Sequence, residues 1–273
     1  MKKCPKCSKR DSDDTRFCKH CGTELSFGNR FAGEGAAMKI AVINGTEVKG
    51  CTYRIKEAFL APLRGQNEIT EFYLPKDMPH FCCGCKICFF TNENRCPHAG
   101  DVSPIWAAVI DADLLVFTAP VYGLGVPAGL KALLDHFCVH WMVHRPDPAM
   151  FRKRAVIITN SIGPAFMAKS SQRDILNSLS WMGVSKISRL GIGLLEGVLW
   201  DELSEKRRAD IERKARRLGS KYISIRPAGK SLKTRFKFFM CRVMHAAALK
   251  KETVPSADNQ HWLDHGWLKK RNQ

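Results

Sequence analysis

Residues 114–135 constrain the fold of this chain more than any other stretch. An apolar run at 114–117 is broken at Ala119 and Pro120 by a turn that contains glycine, and an amphipathic segment begins near Pro127. A buried strand that leads through a turn into a helix places backbone N–H groups at the carboxyl edge of a parallel sheet, where open α/β folds bind ligands. The turn has no acidic side chain that would bind a ribose. It therefore fits a flat heteroaromatic ring better than a dinucleotide.

Apolar runs alternate with amphipathic segments along the body of the chain. Strands are predicted at 39–44, 68–74, 114–118, 154–160 and within 186–195, with helices between them and a long helix over 202–225. This pattern predicts an α/β fold built on a doubly wound, five-stranded parallel sheet. We expect a small metal-binding segment at 1–25, a linker at 26–37, the sheet domain at 38–225 and a basic helical extension at 226–273.

The formal charge of +18 is distributed unevenly. Residues 206–273 contain 19 Lys and Arg against 5 Asp and Glu, whereas residues 39–205 contain 17 against 16. The basic character therefore belongs to the C-terminal extension and not to the predicted site. No apolar run approaches the roughly 20 residues that span a bilayer, and the N-terminus lacks the apolar segment of a secretory signal, so we expect a cytoplasmic location.

Two Cys-x2-Cys pairs lie close to the N-terminus. Their cysteines are Cys4, Cys7, Cys18 and Cys21. Four thiolates at this spacing form the closed tetrahedral site that structural zinc prefers, and the segment resembles the zinc ribbons found at the ends of many proteins. A thioredoxin-like redox motif is the alternative, but the surrounding βαβ pattern is missing. Such ribbons often serve as interaction modules, and nucleic-acid binding remains open here.

Three loops follow predicted strands at the same edge of the sheet. The first, at 44–52, brings hydroxyls, glycines and a lysine to a helix N-terminus, a pattern that binds phosphate through backbone N–H groups and the helix dipole. The other two are positioned to contact a ring, so the set suits FMN, although each loop alone could be a structural turn. The predicted cofactor-binding residues are Gly45, Thr46, Lys49, Gly50, Cys51, Thr52, Pro120, Val121, Tyr122, Gly123, Asn160, Ser161, Ile162 and Gly163.

Residues 38–225 resemble the NADPH-dependent FMN reductases of the flavodoxin-like superfamily, and most closely their iron–sulfur flavoprotein subgroup. The motifs that carry the resemblance are Gly45-Thr46, Gly50-Cys51-Thr52, the cysteines from Cys82 onward, Pro120-Val121-Tyr122-Gly123 and Leu134-Asp135-His136. His136 stands where arginine is common, and Glu47 and Val48 replace proline and arginine. We expect either weaker phosphate binding or phosphate binding that depends on Lys49. The resemblance implies FMN as cofactor, NAD(P)H as electron donor, a small-molecule or protein acceptor, and a homo-oligomer. No side chain is predicted to act as a general base.

A second cysteine array occupies residues 82–96. Its spacing, with Cys-Pro at the end, is typical of ferredoxin-like [4Fe–4S] ligation. The predicted ligands are Cys82, Cys85, Cys88 and Cys96, and Cys83 is left unused. In the alternative reading the cysteines are small apolar residues of a plain flavoprotein. Zinc is less compatible, because the adjacent short spacings strain a single tetrahedral ion.

The segment 231–251 is predicted to form a basic amphipathic helix. Its apolar face comprises Phe236, Phe239, Met240, Val243, Met244 and Ala247. We expect this helix to dock on the body or on a second subunit with its charges in solvent. The alternative is contact with an anionic membrane surface or with nucleic acid.

Two functions from different classes fit the sequence. The first is an FMN-dependent NAD(P)H oxidoreductase, with or without a [4Fe–4S] cluster. The second is a zinc-ribbon adaptor or nucleic-acid-binding protein whose flavodoxin-like body senses flavin or is vestigial.

Overall fold

The computed structural model describes residues 37–269 in full and, before them, the backbone of Lys2–Lys3 and Arg10–Asp11. Those two short strands pair antiparallel. The predicted zinc ligands Cys4, Cys7, Cys18 and Cys21 lie outside the described residues. The chain divides into two compact units, Met1–Ala36 and Ala37–Gln273, so the C-terminal extension belongs to the same unit as the sheet.

Within residues 37–269 a five-stranded sheet organises the second unit. Its strands are β1 (Lys39–Asn44), β2 (Glu68–Tyr73), β3 (Leu114–Pro120), β4 (Arg154–Ser161) and β5 (Lys186–Gly193). They are all parallel, in the order β2-β1-β3-β4-β5. This is the flavodoxin-like arrangement, and it confirms the predicted doubly wound sheet.

Helices cover both faces of the sheet. They are α1 (Cys51–Leu60), α2 (Ala99–Asp111), α3 (Ala128–His136), α4 (Ala168–Met182) and α5 (Glu205–Ser220), followed by α6 (Leu232–Leu249) and α7 (Ala257–Asp264). On one face α2, α3 and α4 pack against alternate residues such as Phe117, and on the other α1 and α5 pack against residues such as Val116. Burial on both faces explains why β3 and β4 read as continuous apolar runs.

The C-terminal extension packs on the body through an aromatic cluster. Trp262 of α7 is fully buried, its Nε1 donates to the carbonyl of His144 at 2.7 Å, and its ring stacks on Phe238 of α6 at 4.9 Å. Docking on the body or on a second subunit was predicted, and the contact with the body is made by the side opposite the predicted apolar face. The side that contains Phe238 and Cys241 is turned inward because the C-terminal tryptophans build the pocket that receives it.

The described helices include none with the length and apolar character required to cross a membrane.

Candidate functional site

The first loop leaves the sheet from a firmly held strand end. Asn44, the last residue of β1, is buried; its Oδ1 accepts a hydrogen bond from Thr118 Oγ1 at 3.1 Å and its Nδ2 donates to the Phe72 carbonyl at 3.1 Å. The N–H of Gly45 donates to the Thr118 carbonyl at 2.7 Å. A Cβ at Gly45 would lie 3.1 Å from that same oxygen and 3.2 Å from Leu130 Cδ2, so a larger residue would displace the loop. The backbone is therefore held close to β3.

The N-terminus of α1 presents backbone donors. Across residues 37–269, no side chain caps this end of the helix. In the preceding loop, Thr46 Oγ1 accepts from the Val48 N–H at 3.2 Å, and Lys49 is exposed. Helix N-termini carry unpaired N–H groups and a partial positive charge, and both favour an anion.

The side chains of Cys51 and Thr52 are directed into the protein. The Thr52 hydroxyl donates to Asn160 Oδ1, and both residues are buried. The Cys51 thiol donates to the Val198 carbonyl at 3.5 Å, and burial raises its pKa. These contacts connect α1 to the end of β4 and to the loop that follows β5. With both side chains engaged in this way, Cys51 and Thr52 could contact an anion only through their backbone N–H groups.

The loop after β3 forms a tight turn. Tyr122 and Gly125 exchange backbone hydrogen bonds of 3.1 and 2.9 Å, with Gly123 and Leu124 at φ values of +54° and +61°. A left-handed conformation disfavours a branched residue such as Leu124, so the pairing holds it against a local cost. Ser171 of α4 donates to the Gly125 carbonyl at 2.5 Å. The turn presents Tyr122 to solvent with 54% of its surface exposed.

The loop after β4 is stabilised by its own serine. Ser161 is buried, and its hydroxyl contacts the carbonyls of Gly163 and Pro164 at 3.2 and 3.1 Å. The N–H groups of Leu194 and Leu195 donate to the carbonyls of Ser161 and Ile162, both at 2.9 Å. Ile162 remains exposed, while Val121 donates its N–H to the Asn160 carbonyl at 2.9 Å. Backbone contacts thus connect this loop to those after β3 and β5.

Large apolar side chains stand exposed in all of these loops. They are Val48, Tyr122, Leu124, Ile162, Phe166, Leu195, Val198 and Leu199. Because the carboxyl ends of parallel strands meet at one edge of the sheet, these side chains surround the same edge. Apolar groups concentrated on a surface in this way mark a binding site. Tyr122 and Ile162 were predicted from the sequence, whereas the members after β5 were not. Their position directly after the last strand of the sheet was the signal that could have identified them.

An ion pair lies behind the first loop. Lys56 of α1 is fully buried; its Nζ contacts Glu71 Oε2 and lies 3.2 Å from the Tyr73 hydroxyl. Glu71 Oε2 also accepts from Asn44 Nδ2 at 3.2 Å. Burial opposes both charges and is the largest single influence on each. The hydrogen bonds and the charge attraction within this cluster together outweigh it, so the pKa of Lys56 is raised and that of Glu71 is lowered. The pair holds the side chain of Asn44 in place through Glu71. Sequence reasoning missed this ion pair.

The second cysteine array lies between β2 and α2. Cys82, Cys83 and Cys85 are exposed, whereas Cys88 and Cys96 are half-buried. Burial raises the pKa of Cys88 and Cys96, and nearby thiolates of the array raise it further. The buried guanidinium of Arg145 contacts the Cys88 carbonyl and forms an ion pair with Glu93 at 3.0 Å. This segment is therefore anchored to the body by charge.

A mixed thiol–imidazole group adjoins the array. The ligand atoms of Cys96, His98 and His136 all lie within 4.8 Å of one another. His136 is buried and its Nδ1 donates to the Ala132 carbonyl at 2.8 Å, which leaves Nε2 as an acceptor directed at His98 Nδ1, 3.1 Å away. Burial, and then the neighbouring imidazoles, lower the pKa of His98. The sequence analysis noted His136 as a departure but did not connect it with Cys96, because the two lie 40 positions apart.

Comparison with known proteins gives consistent results. A family model for NADPH-dependent FMN reductases matches residues 38–191. The iron-sulfur flavoprotein of Archaeoglobus fulgidus is 25% identical over 186 residues, which cover 67% of this chain and 78% of that protein. An iron-sulfur flavoprotein of Methanocaldococcus jannaschii is 33% identical over 100 residues, which cover 36% of this chain and 51% of that protein.

Solved structures share the fold. The azoreductase from Bacillus anthracis superposes with a TM-score of 0.56 at 15% identity, covering 67% of this chain and 99% of that one. The NAD(P)H:quinone oxidoreductase from Methanothermobacter marburgensis gives 0.56 at 18% identity, covering 70% and 99%. The family match spans more than half of the chain, and the sheet order and the loop edge agree with it. The chain therefore belongs to the NADPH-dependent FMN reductase family of flavodoxin-like oxidoreductases.

Proposed function

We propose that this chain binds FMN at the carboxyl edge of the sheet and transfers electrons from NAD(P)H to a small-molecule or protein acceptor. The phosphate would lie at residues 45–52, and the ring would lie against residues 120–123 and 160–163. One observation carries the proposal. The same edge of the sheet has the uncapped backbone N–H groups of α1 and a border of exposed apolar side chains. An anionic group attached to a flat ring needs both.

The residues present fit this cofactor. The first turn of α1 offers N–H groups, and Gly45 packs so closely against β3 that a side chain there would have to displace its neighbours. Lys49 is exposed beside this turn, with its Nζ 5.7 Å from the centre of the Tyr53 ring, and can approach a phosphate as a point charge. Tyr122, Leu124 and Ile162 supply apolar surface that the ring would cover. The thiol and hydroxyl of Cys51 and Thr52 fix the loop and do not compete for the anion.

When bound, FMN supplies hydride acceptance from NAD(P)H and electron delivery to an acceptor. The protein's own residues do three things. The loop backbone holds the phosphate, the turn at Tyr122–Gly125 fixes one side of the ring position, and the apolar border excludes water. Hydride transfer needs no general base, which agrees with the hydrogen-bonded, structural roles of Ser161 and Thr52.

We further propose that the second cysteine array holds a [4Fe–4S] cluster on Cys82, Cys85, Cys88 and Cys96, which would accept electrons one at a time. Support comes from the spacing, from the two relatives that are named as iron-sulfur flavoproteins, and from the exposed position of the first thiols. The charged anchor at Arg145 would hold the segment around the cluster.

A specific observation favours a second candidate at the same place. Cys96, His98 and His136 could hold a single zinc ion, because zinc accepts mixed sulfur and nitrogen ligands, and a ligating histidine commonly donates its other N–H to a carbonyl, as His136 does. The two candidates share Cys96 and exclude one another. Iron and zinc content therefore separates them.

The direct test of the proposed function is an absorbance spectrum of anaerobically purified full-length protein, before and after NADPH addition. Paired near-ultraviolet and blue flavin bands at one FMN per chain, bleached by NADPH, are the expected result. A protein that stays colourless after incubation with FMN would instead support an adaptor with a vestigial flavodoxin-like body.

A further inference from the structure

Helix α6 exposes an apolar stripe to solvent. Its members are Leu232, Phe236, Phe239, Met240, Val243 and Met244, called here the Phe236 stripe. They recur at intervals of three and four residues and therefore lie along one side of the helix. Phe236 has 64% and Leu232 84% of its surface exposed. An aligned set of large apolar side chains in contact with water requires a partner.

The opposite side of α6 is fixed to the body, so the helix cannot rotate to bury the stripe. Phe238 packs against Trp262 and Trp267 at ring distances of 4.9 and 5.0 Å. His245 is buried, contacts Asn259 Oδ1 at 2.7 Å and stacks on Trp262 at 4.5 Å. The Lys237 Nζ donates to Ser180 Oγ at 2.8 Å. The stripe is consequently an outward face of the folded unit.

The charged residues of α6 are all basic. Helix α6 contains Lys233, Arg235, Lys237 and Arg242 and no acidic residue, and Lys250 and Lys251 follow it. In the described part of the chain, no carboxylate forms an ion pair with Arg235 or Arg242, both of which are exposed. On a helical projection these two arginines lie along one border of the stripe, whereas Lys237 is turned towards Ser180 on the body.

We propose that the Phe236 stripe docks α6 flat on an anionic lipid surface, with Phe and Met side chains entering the boundary between headgroups and acyl chains. The apolar stripe and the arginines along its border match the two layers that such a surface offers. A second copy of the chain fits less well, because two such helices would bring their arginines together. Nucleic acid offers phosphates but no apolar layer for the stripe.

The test is co-sedimentation of the full-length, FMN-loaded protein with two kinds of vesicle. One is phosphatidylcholine alone, and the other contains about 40% of the anionic lipid phosphatidylglycerol. Binding to the anionic vesicles alone, weakened by salt, is expected. Phe236→Ser combined with Met240→Ser should lower the partition coefficient by at least about tenfold. Arg235→Gln and Arg242→Gln should each lower it by about fivefold.

The matched control is Ile223→Ser combined with Val254→Ser, which removes two exposed apolar side chains outside the stripe and should leave binding unchanged. Flavin content and the melting temperature of each variant establish that it is folded. Equal binding of wild type and the Phe236/Met240 variant would overturn the proposal. Failure of the wild-type protein to bind anionic vesicles would also overturn it. A dimer in analytical ultracentrifugation that the Phe236/Met240 variant dissociates would overturn it too, because the stripe would then bind a second copy of the chain.

Discussion

The hydroxyl of Thr52 donates a hydrogen bond to the side-chain oxygen of Asn160, and both groups are buried. This contact joins the first turn of α1, proposed to bind the phosphate, to the end of β4, proposed to contact the ring. The two halves of the site are therefore positioned relative to one another by this side-chain pair, together with the backbone bond from Gly45 to Thr118.

Replacing Thr52 with valine tests this connection. The change keeps the shape and leaves Asn160 Oδ1 without its donor, so we expect the free energy of unfolding to fall by about 1–3 kcal/mol. FMN affinity should fall as well, because α1 would lose its fixed position. Thermal melts and flavin titrations measure both effects. Thr70→Val, at an exposed position of β2, is the control and should change stability by less than about 0.5 kcal/mol. Wild-type melting and affinity in Thr52→Val would show that the contact is dispensable.

The Lys56–Glu71 pair should give the protein a characteristic acid response. The folded-state pKa of Glu71 is lowered, so its stabilisation is complete above the unfolded value of about 4.3 and is lost as pH falls through the folded pKa. Lys56, whose pKa is raised, contributes below about pH 10.4 and loses its effect as pH rises through its folded value.

Glu71→Gln removes the more buried of the two carboxylates that pair with Lys56 and leaves Glu57, 3.0 Å from Lys56 Nζ, as the remaining counter-charge. It should destabilise the protein by about 1–3 kcal/mol near pH 7. The loss of stability between about pH 5 and 3 should become shallower, because the group that titrates there is gone. Glu68→Gln, on the same strand but exposed, is the control. Denaturant unfolding across this pH range measures both effects. If the free energy of unfolding falls as steeply with decreasing pH in Glu71→Gln as in wild type, the assigned role of Glu71 is ruled out.

Sequence reasoning identified the features that depend on local pattern. The strands near 39–44, 114–118 and 154–160 follow from apolar runs, and the loops after them share one edge of the sheet because the strands are parallel. It missed features that depend on packing between distant segments. Lys56 reads as an exposed charge of an amphipathic helix until Glu71 is placed beside it by β2. The side of α6 that packs on the body could not be read from the helix alone, because its periodicity contains two apolar faces and the contact between Phe238 and Trp262 selects one of them.

Metal content tests the two candidates at the second cysteine array. Anaerobic analysis should give about four iron and four sulfide per chain if the cluster is present. Cys96→Ser should remove the iron, whereas Cys83→Ser, which changes an exposed thiol of the same array, should retain it. His98→Ala should leave the iron in place. One zinc per chain at this array, lost in His98→Ala, would instead assign the site to Cys96, His98 and His136.

The N-terminal segment is predicted to hold one zinc per chain that is independent of the flavin. Cys4→Ser combined with Cys21→Ser should remove one zinc from the full-length protein, because two of four tetrahedral ligands are lost. FMN content and NADPH oxidation should stay at the wild-type level. Cys138→Ser, a cysteine of the body whose pKa burial raises to about 11, is the control and should retain the zinc. A zinc content that the Cys4/Cys21 variant leaves unchanged would place the ion elsewhere.

The central claim is that the turn before α1 binds the phosphate of FMN, and flavin titration of three apoproteins tests it most directly. Thr46→Glu places a carboxylate in that turn, whereas Gln66→Glu makes a single-residue acidic substitution in the exposed segment that precedes β2, near the opposite edge of the sheet. Repulsion of a phosphate within a few ångströms should weaken FMN binding by at least about tenfold in Thr46→Glu, with the effect reduced by salt. Gln66→Glu should bind as wild type does. Equal dissociation constants for Thr46→Glu and wild type would contradict the assignment.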